Sequence, residues 1–522
     1  MRILTKLVLT GVVIIVFFDT PISSLGNANS SQGNFSPSSD SVLNIGTRRE
    51  LFLDDQLIQN RKNLEFKMHP PMGRETVMFY DQPWEGSGSD FQTVFKDGAI
   101  FRMYYMAAQL TNSDGTKFGG HPVYACYAES KDGIHWSKPD LGLFEFNGSS
   151  KNNIVWATPD LDNFTPFIDS KPDCKPGEKY KALSSGKGGL FAFKSSDGIN
   201  WSRLSDQPII TKGQFDTQNN AFWDSVRNCY WCYFRDFHEK QMKNTLDLET
   251  GIRDIRVSTS KDFINWTEPE MIRFVDSPDV ALYTNQVVPY LRAPHIFLGF
   301  PTRYVVRNFS APAMRALPDP EHRQVRMKIH PRYGQAITDG LFMSSHNGKT
   351  FKRWDEVFIP AGIQRKNNWV YGDGYQSLGL IETSSEDPTA PNELSFYAGE
   401  GGWKDEASLR RYTIRLDGFV SLKAGTKTGE FVTKTMTFSG NFLSLNFSTS
   451  VAGSILVELQ DESGNPLPGY SSADCDELFG DDPDRKVFWN NHSDLTGLIG
   501  KRVHIHLVMR EADLYSMKFA EK

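Results

Sequence analysis

A seven-residue corner recurs along this chain. Ser130 to Trp136 reads SKDGIHW, Ser195 to Trp201 reads SSDGINW and Ser260 to Trp266 reads SKDFINW, so their aspartates fall at 132, 197 and 262, two equal steps of 65. Two looser copies follow: SHNGKTF at Ser345 to Phe351, with Asn347 in the aspartate position, and RLDGFVS, which carries Asp417-Gly418. Such spacing is the signature of a repeated supersecondary unit, and it limits the fold more tightly than any single motif. Two strand-like runs precede each corner, for example IFRMYYMAA and VYACYAES before the first and CYWCYFRDF and IRVSTS before the third. Four short strands with tight links need roughly 40 to 50 residues, the size of a propeller blade. The surplus is assigned to long connections on one face, where the blades would build a pocket.

Five units fit the span from about 50 to 425, so an all-β, five-bladed β-propeller is predicted over residues 48–425. Within the corner, Ser and Asp oxygens are expected to cap the turn, Gly to take the position with positive φ, and Trp to pack between sheets. These aspartates are therefore assigned to architecture. Beyond Lys423, the segments FVTKTMTF, FLSLNFST, SILVELQD and VHIHLVMR alternate apolar and polar residues and lack the corner. They predict a separate β-sandwich over 426–522. An aromatic content of 13%, with 42 Gly and 27 Pro, favours short strands and turns over long helices.

The amino terminus carries Arg2 and Lys6, an apolar run from Leu7 to Phe18, and small residues through Ala28. The run is too short for a bilayer helix and matches a secretory signal over 1–28. A flexible leader over 29–47 would follow, and the mature protein would be secreted or periplasmic with no membrane attachment. A net charge of −6 gives no footprint for nucleic acid. Five cysteines are too few, and odd in number, for disulfides to hold the fold. Cys229 and Cys232 lie inside a strand-like run that would send their sulfurs to opposite faces, so they read as structural. Asp474, Asp476, Glu477, Asp481, Asp482 and Asp484 match no EF-hand spacing and read as a solvated acidic loop. No metal and no cofactor is expected.

In a propeller the innermost strands converge on one axis, so residues that open each first strand become neighbours although remote in sequence. The acids at those positions are Glu85 and Asp90 in QPWEGSGSDFQTVF, Asp162 in LDNFTPF, Asp216 in QFDTQNNAFW, Asp279 in SPDVALYTNQ and Asp373 in VYGDGYQSLG. Cleavage of a glycosidic bond needs two carboxyl groups, one protonated and one ionised, and a ring of acids supplies them. Glu85, Asp90, Asp162 and Asp216 are the catalytic candidates. Trp84, Phe91, Tyr283, Trp369, Tyr371 and Tyr375 lie beside these acids and are candidates for stacking on sugar faces. Asp373, with Arg102, Arg235, Asp236, Arg303 and Glu400 on second strands, completes the set expected to bind substrate or pair with the ring.

At these residues the chain resembles the five-bladed propeller glycosidases, the superfamily of glycoside hydrolase families 32, 43, 62 and 68. LFLDDQLI at Leu51 to Ile58 is similar to the opening of bacterial family 32-like proteins, and family 32 enzymes also carry a β-sandwich after the propeller. The resemblance implies a secreted glycosidase acting on a poly- or oligosaccharide. It implies three acids from the first three blades: a nucleophile or base at Glu85 or Asp90, a transition-state stabiliser at Asp162 and an acid at Asp216. The invertase motif WMNDPNG is absent, Asp216 stands where the family uses Glu, and Asp236 of Phe234-Arg235-Asp236 is a reserve stabiliser. Fructan specificity is not supported. The rival readings are a non-catalytic sugar-binding propeller and a sialidase-like or phosphorolytic enzyme. The corner resembles the sialidase Asp-box, though that box has one more residue between Asp and Gly.

Overall fold

The computed structural model describes residues 42–110, 119–157, 161–238, 251–275, 277–366, 368–403 and 407–521. The expected signal segment, and the leader up to residue 41, lie outside them. Blade 1 runs outward from Asp90–Asp97 through Ile100–Ala107 and Tyr124–Ser130 to Ile154–Ala157. Blade 2 repeats the order with Leu161–Ile168, Tyr180–Gly186, Gly189–Ser195 and Ser202–Arg203, and blade 3 with Asn220–Asp224, Cys229–His238, Ile252–Ser260 and Glu270–Met271. Blade 4 starts at Val288–Tyr290 and continues through Ala293–Gly299, Met343–Ser345 and Thr350–Arg353. Its long connection carries the ribbon Thr302–Val306 with Ala336–Gly340 and, between the ribbon strands, the helices Pro312–Arg315, Pro320–Met327 and Arg332–Gln335.

Blade 5 is completed from both ends of the chain. Ile381–Thr383, Glu393–Glu400 and Ser408–Arg415 supply three strands, and Met72–Phe79 supplies the outermost, with Ser408 opposite Phe79. The propeller is thus closed by hydrogen bonds between strands more than 300 residues apart. Each gap between blades holds its own apolar cluster. Phe164 and Phe193 pack against Tyr104 and Tyr127 between blades 1 and 2, and Met78 and Tyr397 against Met103 and Ile154 between blades 5 and 1.

The corners do what their residues dictate. Ser195 Oγ donates to Asp197 Oδ1, which accepts from the backbone N–H groups of Ile199 and Asn200, each at 2.8 Å. Gly198 has φ +79°, and in the third copy Phe263 occupies the same left-handed conformation at +68°. The corner also locks one blade to the next. Tyr397 of blade 5 donates to the Gly133 carbonyl of blade 1, Tyr104 of blade 1 to Gly198 of blade 2, and Tyr233 of blade 3 to Gly348 of blade 4, the last two at 2.8 and 2.7 Å. Between blades 2 and 3 the buried Phe263 ring fills the gap instead, 5.5 Å from Phe167. A Cβ at Gly198 would lie 2.7 Å from the Tyr104 hydroxyl, which explains the glycine.

Asp417 is not a fifth corner of this kind. It is fully buried and accepts hydrogen bonds from Tyr290 at 2.6 Å, Ser516 at 2.7 Å, Arg292 at 2.9 Å and Arg49 at 3.0 Å. Burial would raise its carboxyl, but Arg49 and Arg292 outweigh that and hold it below the usual range. The hub ties the propeller to the terminal sheet.

That sheet has eight strands, and three of them, Arg49–Leu51, Ile58–Lys62 and Leu64–Met68, come from the amino-terminal side. The propeller therefore begins at Met72 in chain order rather than near 48. A strand finds its sheet through its apolar face, and Phe52, Leu57, Ile58 and Leu64 are part of the terminal core with Leu445, Val457, Ile505 and Leu507. The long strands Phe442–Gln460 and His504–Ala520 are bulged at Asn446/Phe447 and Thr449/Ser454, which bends them across both layers of the β-sandwich. Within the acidic loop, Asp474 accepts from Ser471, Asp481 pairs with Arg415, Asp482 with Arg485, and Asp484 with Lys518.

A carboxylate-lined cavity on the propeller axis

Asp90, Asp162 and Asp216 line one cavity of about 200 Å³. Each belongs to a different blade, at or just before the innermost strand. In blades 1 and 2 the aiming device is the same: the strand register slips between Asp90 and Thr93 and again between Asp162 and Thr165. The residue after each acid, Phe91 or Asn163, is left-handed with φ +55°. A bulge of this sort turns a side chain out of the sheet, and a left-handed Phe is strained backbone that only a fixed surrounding structure maintains.

The three carboxyls occupy different environments. Asp90 lies deep in the funnel; burial is the main cause that pushes it up to about 8, a bond from its neighbour's N–H at 2.9 Å opposes this, and the nearby Asp373 carboxyl adds to it. Burial likewise raises Asp162, whose Oδ1 has no hydrogen-bond partner. The Asp216 side chain is 56% exposed and ion-paired with Arg235, itself 2% exposed. Asp373 sits behind the wall, accepting from Val370 N at 3.2 Å; burial, then the Glu400 charge, lift it to about 7 against the pull of Arg326.

Aromatic rings make the rest of the wall. Tyr283, Tyr371, Tyr375 and Phe91 line the cavity, with Tyr375 stacked 5.3 Å from Tyr283 and 5.7 Å from Phe91. Sequence reasoning did not find Arg332 and Tyr333, which the helical insertion of blade 4 delivers, or Trp403 of blade 5, whose ring lies 4.6 Å from Tyr333. It also passed over Gln92, Gln218, Gln286 and Gln376, which are all buried. Gln286 donates to Gln218 Oε1 at 2.5 Å and to the Gln376 carbonyl at 2.7 Å, and Gln218 donates to Thr93 Oγ1 at 2.8 Å. The recurring D-x-Q of Asp90/Gln92 and Asp216/Gln218 was the signal.

The other candidates are placed elsewhere. Glu85 is fully buried, bonded to Tyr105 at 2.6 Å and Lys138 at 2.8 Å, and does not reach the cavity. Trp84 donates to Asn153 at 2.7 Å. Arg102 pairs with Asp97 at 2.7 Å and donates to the Asp197 carbonyl at 2.9 Å, so it belongs to the interblade lock. Asp236 faces Arg256 at 3.8 Å, Arg303 pairs with Asp339 at 2.6 Å, and Glu400 binds Arg365 and Arg410, each at 2.8 Å. Asp279 meets His238 at 2.8 Å, and the Trp369 indole donates to Gly362 O at 2.8 Å. In each case a nearby opposite charge or carbonyl captures the group, which position along a strand does not reveal. Cys229 and Cys232 are both free thiols. Among the described residues no group of three or more His, Cys, Asp or Glu is placed to hold a metal ion, and no helix is long and apolar enough to cross a membrane.

The molecule is therefore a five-bladed β-propeller with a terminal β-sandwich and an acidic, aromatic axial cavity. No family model matches the chain. Two Mycobacterium tuberculosis proteins described as uncharacterized are 28% identical over 141 residues, 27% of this chain and 40% of their own length. Similar solved structures include a family 43 arabinoxylan arabinofuranohydrolase from Bacillus subtilis in complex with cellotetraose (10% identity, 84% of this chain and 96% of that one, TM-score 0.37). An N-acetylgalactosamine deacetylase from F. plautii in complex with blood group B trisaccharide is also similar (11%, 67% and 95%, TM-score 0.40). A third belongs to work on the GH130 family of mannoside phosphorylases and its glycoside hydrolases that target β-1,2 mannosidic linkages in Candida mannan (12%, 69% and 95%, TM-score 0.36).

Proposed function

We propose that the axial cavity binds a sugar and hydrolyses its glycosidic bond. The observation that carries this reading is the meeting of Asp90, Asp162 and Asp216 in one aromatic-walled cavity, in environments that favour opposite protonation states. A glycosidase needs that inequality: a carboxylic acid to protonate the departing oxygen and a carboxylate to activate water or attack the anomeric carbon. Asp90, still protonated at neutral pH, is the acid. Asp216, half exposed and ion-paired with Arg235, is the base or nucleophile. This reverses the order implied by the resemblance, and it follows from burial at Asp90 against an ion pair at Asp216. Asp162, between them in chain order, is the stabiliser.

The experiment is an activity screen on 4-nitrophenyl and 2,4-dinitrophenyl glycosides and on polysaccharides, with Asp90→Asn, Asp162→Asn and Asp216→Asn variants. Loss of the acid spares substrates whose leaving group needs no proton, so Asp90→Asn should retain dinitrophenyl glycoside turnover and lose polysaccharide turnover. Asp216→Asn should lose both. Sugar binding with no turnover in the wild-type protein would replace this reading with that of a sugar-binding propeller. Export is part of the proposal, and amino-terminal sequencing of the mature protein should begin at Asn29.

A further inference from the structure

We infer that the sugar this site accepts is a hexuronic acid, its carboxylate met by Arg332 in the field of arginines buried behind the cavity wall. This deepens the glycosidase reading above and rests on it. Arg332 lines the cavity beside Tyr333, and its guanidinium lies 5.1 Å from that ring. Both residues come from the helical insertion of blade 4, which also carries Arg323 and Arg326.

The observation that carries the inference is Arg326. It is 1% exposed, and its Nε, Nη1 and Nη2 have no hydrogen-bond partner among the described residues. Arg323, one turn earlier and fully buried, donates to the carbonyls of Pro318 at 3.1 Å and Trp369 at 2.5 Å, while its Nη1 is likewise unpartnered. A guanidinium taken out of water costs several kcal/mol unless a counter-charge and hydrogen bonds replace its hydration. Burial, and then the neighbouring Arg323 charge, bring Arg326 down to about 9 against the pull of Asp373 and Asp319, so it is still a cation at neutral pH. Its guanidinium lies 5.9 Å from the ring of Trp403, which lines the cavity. The uncompensated charge therefore stands beside the cavity wall.

The blade 3 side repeats the pattern. Arg235, 2% exposed, gives one nitrogen to Asp216 and leaves Nε and Nη1 unpartnered, 4.9 Å from the Tyr283 ring that forms another part of the wall. The cavity's own acids do not supply the missing negative charge. Asp90 is protonated at neutral pH, burial disfavours the charge on Asp162, and Asp216 is already ion-paired. A neutral sugar would leave the cations as they are. A carboxylate on the ring would meet Arg332 in the planar, two-point pairing that guanidinium and carboxylate share. In a wall of low dielectric, the cations behind it add to that attraction.

The first test needs no turnover. Titration of the wild-type protein with glucuronate, galacturonate and mannuronate, each against its parent hexose, should show at least one uronate binding tenfold or more tighter. A smaller preference in all three pairs would overturn the inference and leave the glycosidase reading intact. Inorganic phosphate binding as tightly as the best uronate would assign the arginines to a free oxyanion and overturn it as well. In turnover, 4-nitrophenyl glucuronides or galacturonides should exceed the matching glucosides or galactosides at least tenfold in kcat/KM. Arg332→Gln should lower that ratio at least tenfold and Arg332→Lys should retain part of it; an unchanged ratio in Arg332→Gln would overturn the placement of the carboxylate. Arg326→Met deletes a buried charge without breaking a hydrogen bond, so it should reduce the uronate preference at least threefold without lowering Tm. An unchanged preference, or a fall in Tm, would overturn the part given to the buried cations. Uronate binding with no hydrolysis of any glycoside would overturn the glycosidase reading alone.

Discussion

Asp197 caps the outer corner of blade 2 and Asp162 stands at the inner mouth of the same blade, and their carboxyls are driven in opposite directions. Burial opposes ionisation at Asp197, but the Asn200 side chain and the N–H groups of Ile199 and Asn200 more than offset it and bring the carboxyl down to about 2. Asp162 has no such donors on Oδ1, and burial raises it. Asp262 matches Asp197, falling to about 2, while Asp90 is raised as Asp162 is, reaching about 8. A carboxylate surrounded by backbone N–H groups has its charge fully used by the fold. One turned into a desolvated funnel keeps unused bonding capacity, which chemistry requires.

Neutralising one acid of each kind gives the largest expected difference. Asp216→Asn or Asp90→Asn should reduce kcat/KM on a polysaccharide by about 10²–10⁴. Asp197→Asn should leave it within twofold, and a comparable loss there would erase the distinction. Next in size is the hub between domains. Arg49→Met strips a partner from the buried Asp417 and should cost about 3–5 kcal/mol, read as a lower denaturant midpoint.

The pH dependence of stability sharpens the contrast further. Asp90 binds its proton more tightly folded than unfolded, so between about 4 and about 8 the folded state carries more protons, and Asp90's contribution to stability falls as pH rises through that window. Asp197 is depressed, so its contribution is present above about 4 and is lost as pH falls towards 2. Asp90→Asn should therefore flatten the decline of Tm between pH 4 and 8, and Asp197→Asn should leave that decline unchanged and flatten the fall below pH 4. The smallest effect is at the interblade lock. Tyr104→Phe and Tyr397→Phe each remove one buried hydroxyl-to-carbonyl bond and should lower stability by about 1 kcal/mol, with no change in activity.

The corners were legible because the same residues perform the same local task four times, and spacing exposes anything that repeats. Asp90, Asp162 and Asp216 could be placed for a related reason, since all open an innermost strand. Glu85 shows where such reasoning ends. It stands five residues before Asp90, yet Lys138, 53 positions away in sequence, takes its charge inside the fold. The amino-terminal strands read as strands, but their partners at the opposite end of the chain leave no local trace. Tyr333 and Arg332 were hidden in what looked like surplus length between the units, because a helical insertion carries no repeat.

Closure of blade 5 by Met72–Phe79 has a consequence for biosynthesis. That strand leaves the ribosome hundreds of residues ahead of Ser408–Arg415, the strand it pairs with in the blade. At about 5–20 residues per second, it waits some tens of seconds with an unpaired edge. A nascent chain of this protein is thus an open ring whose clasp is made first and fastened last, and any binding partner of unfolded strands has that interval in which to act.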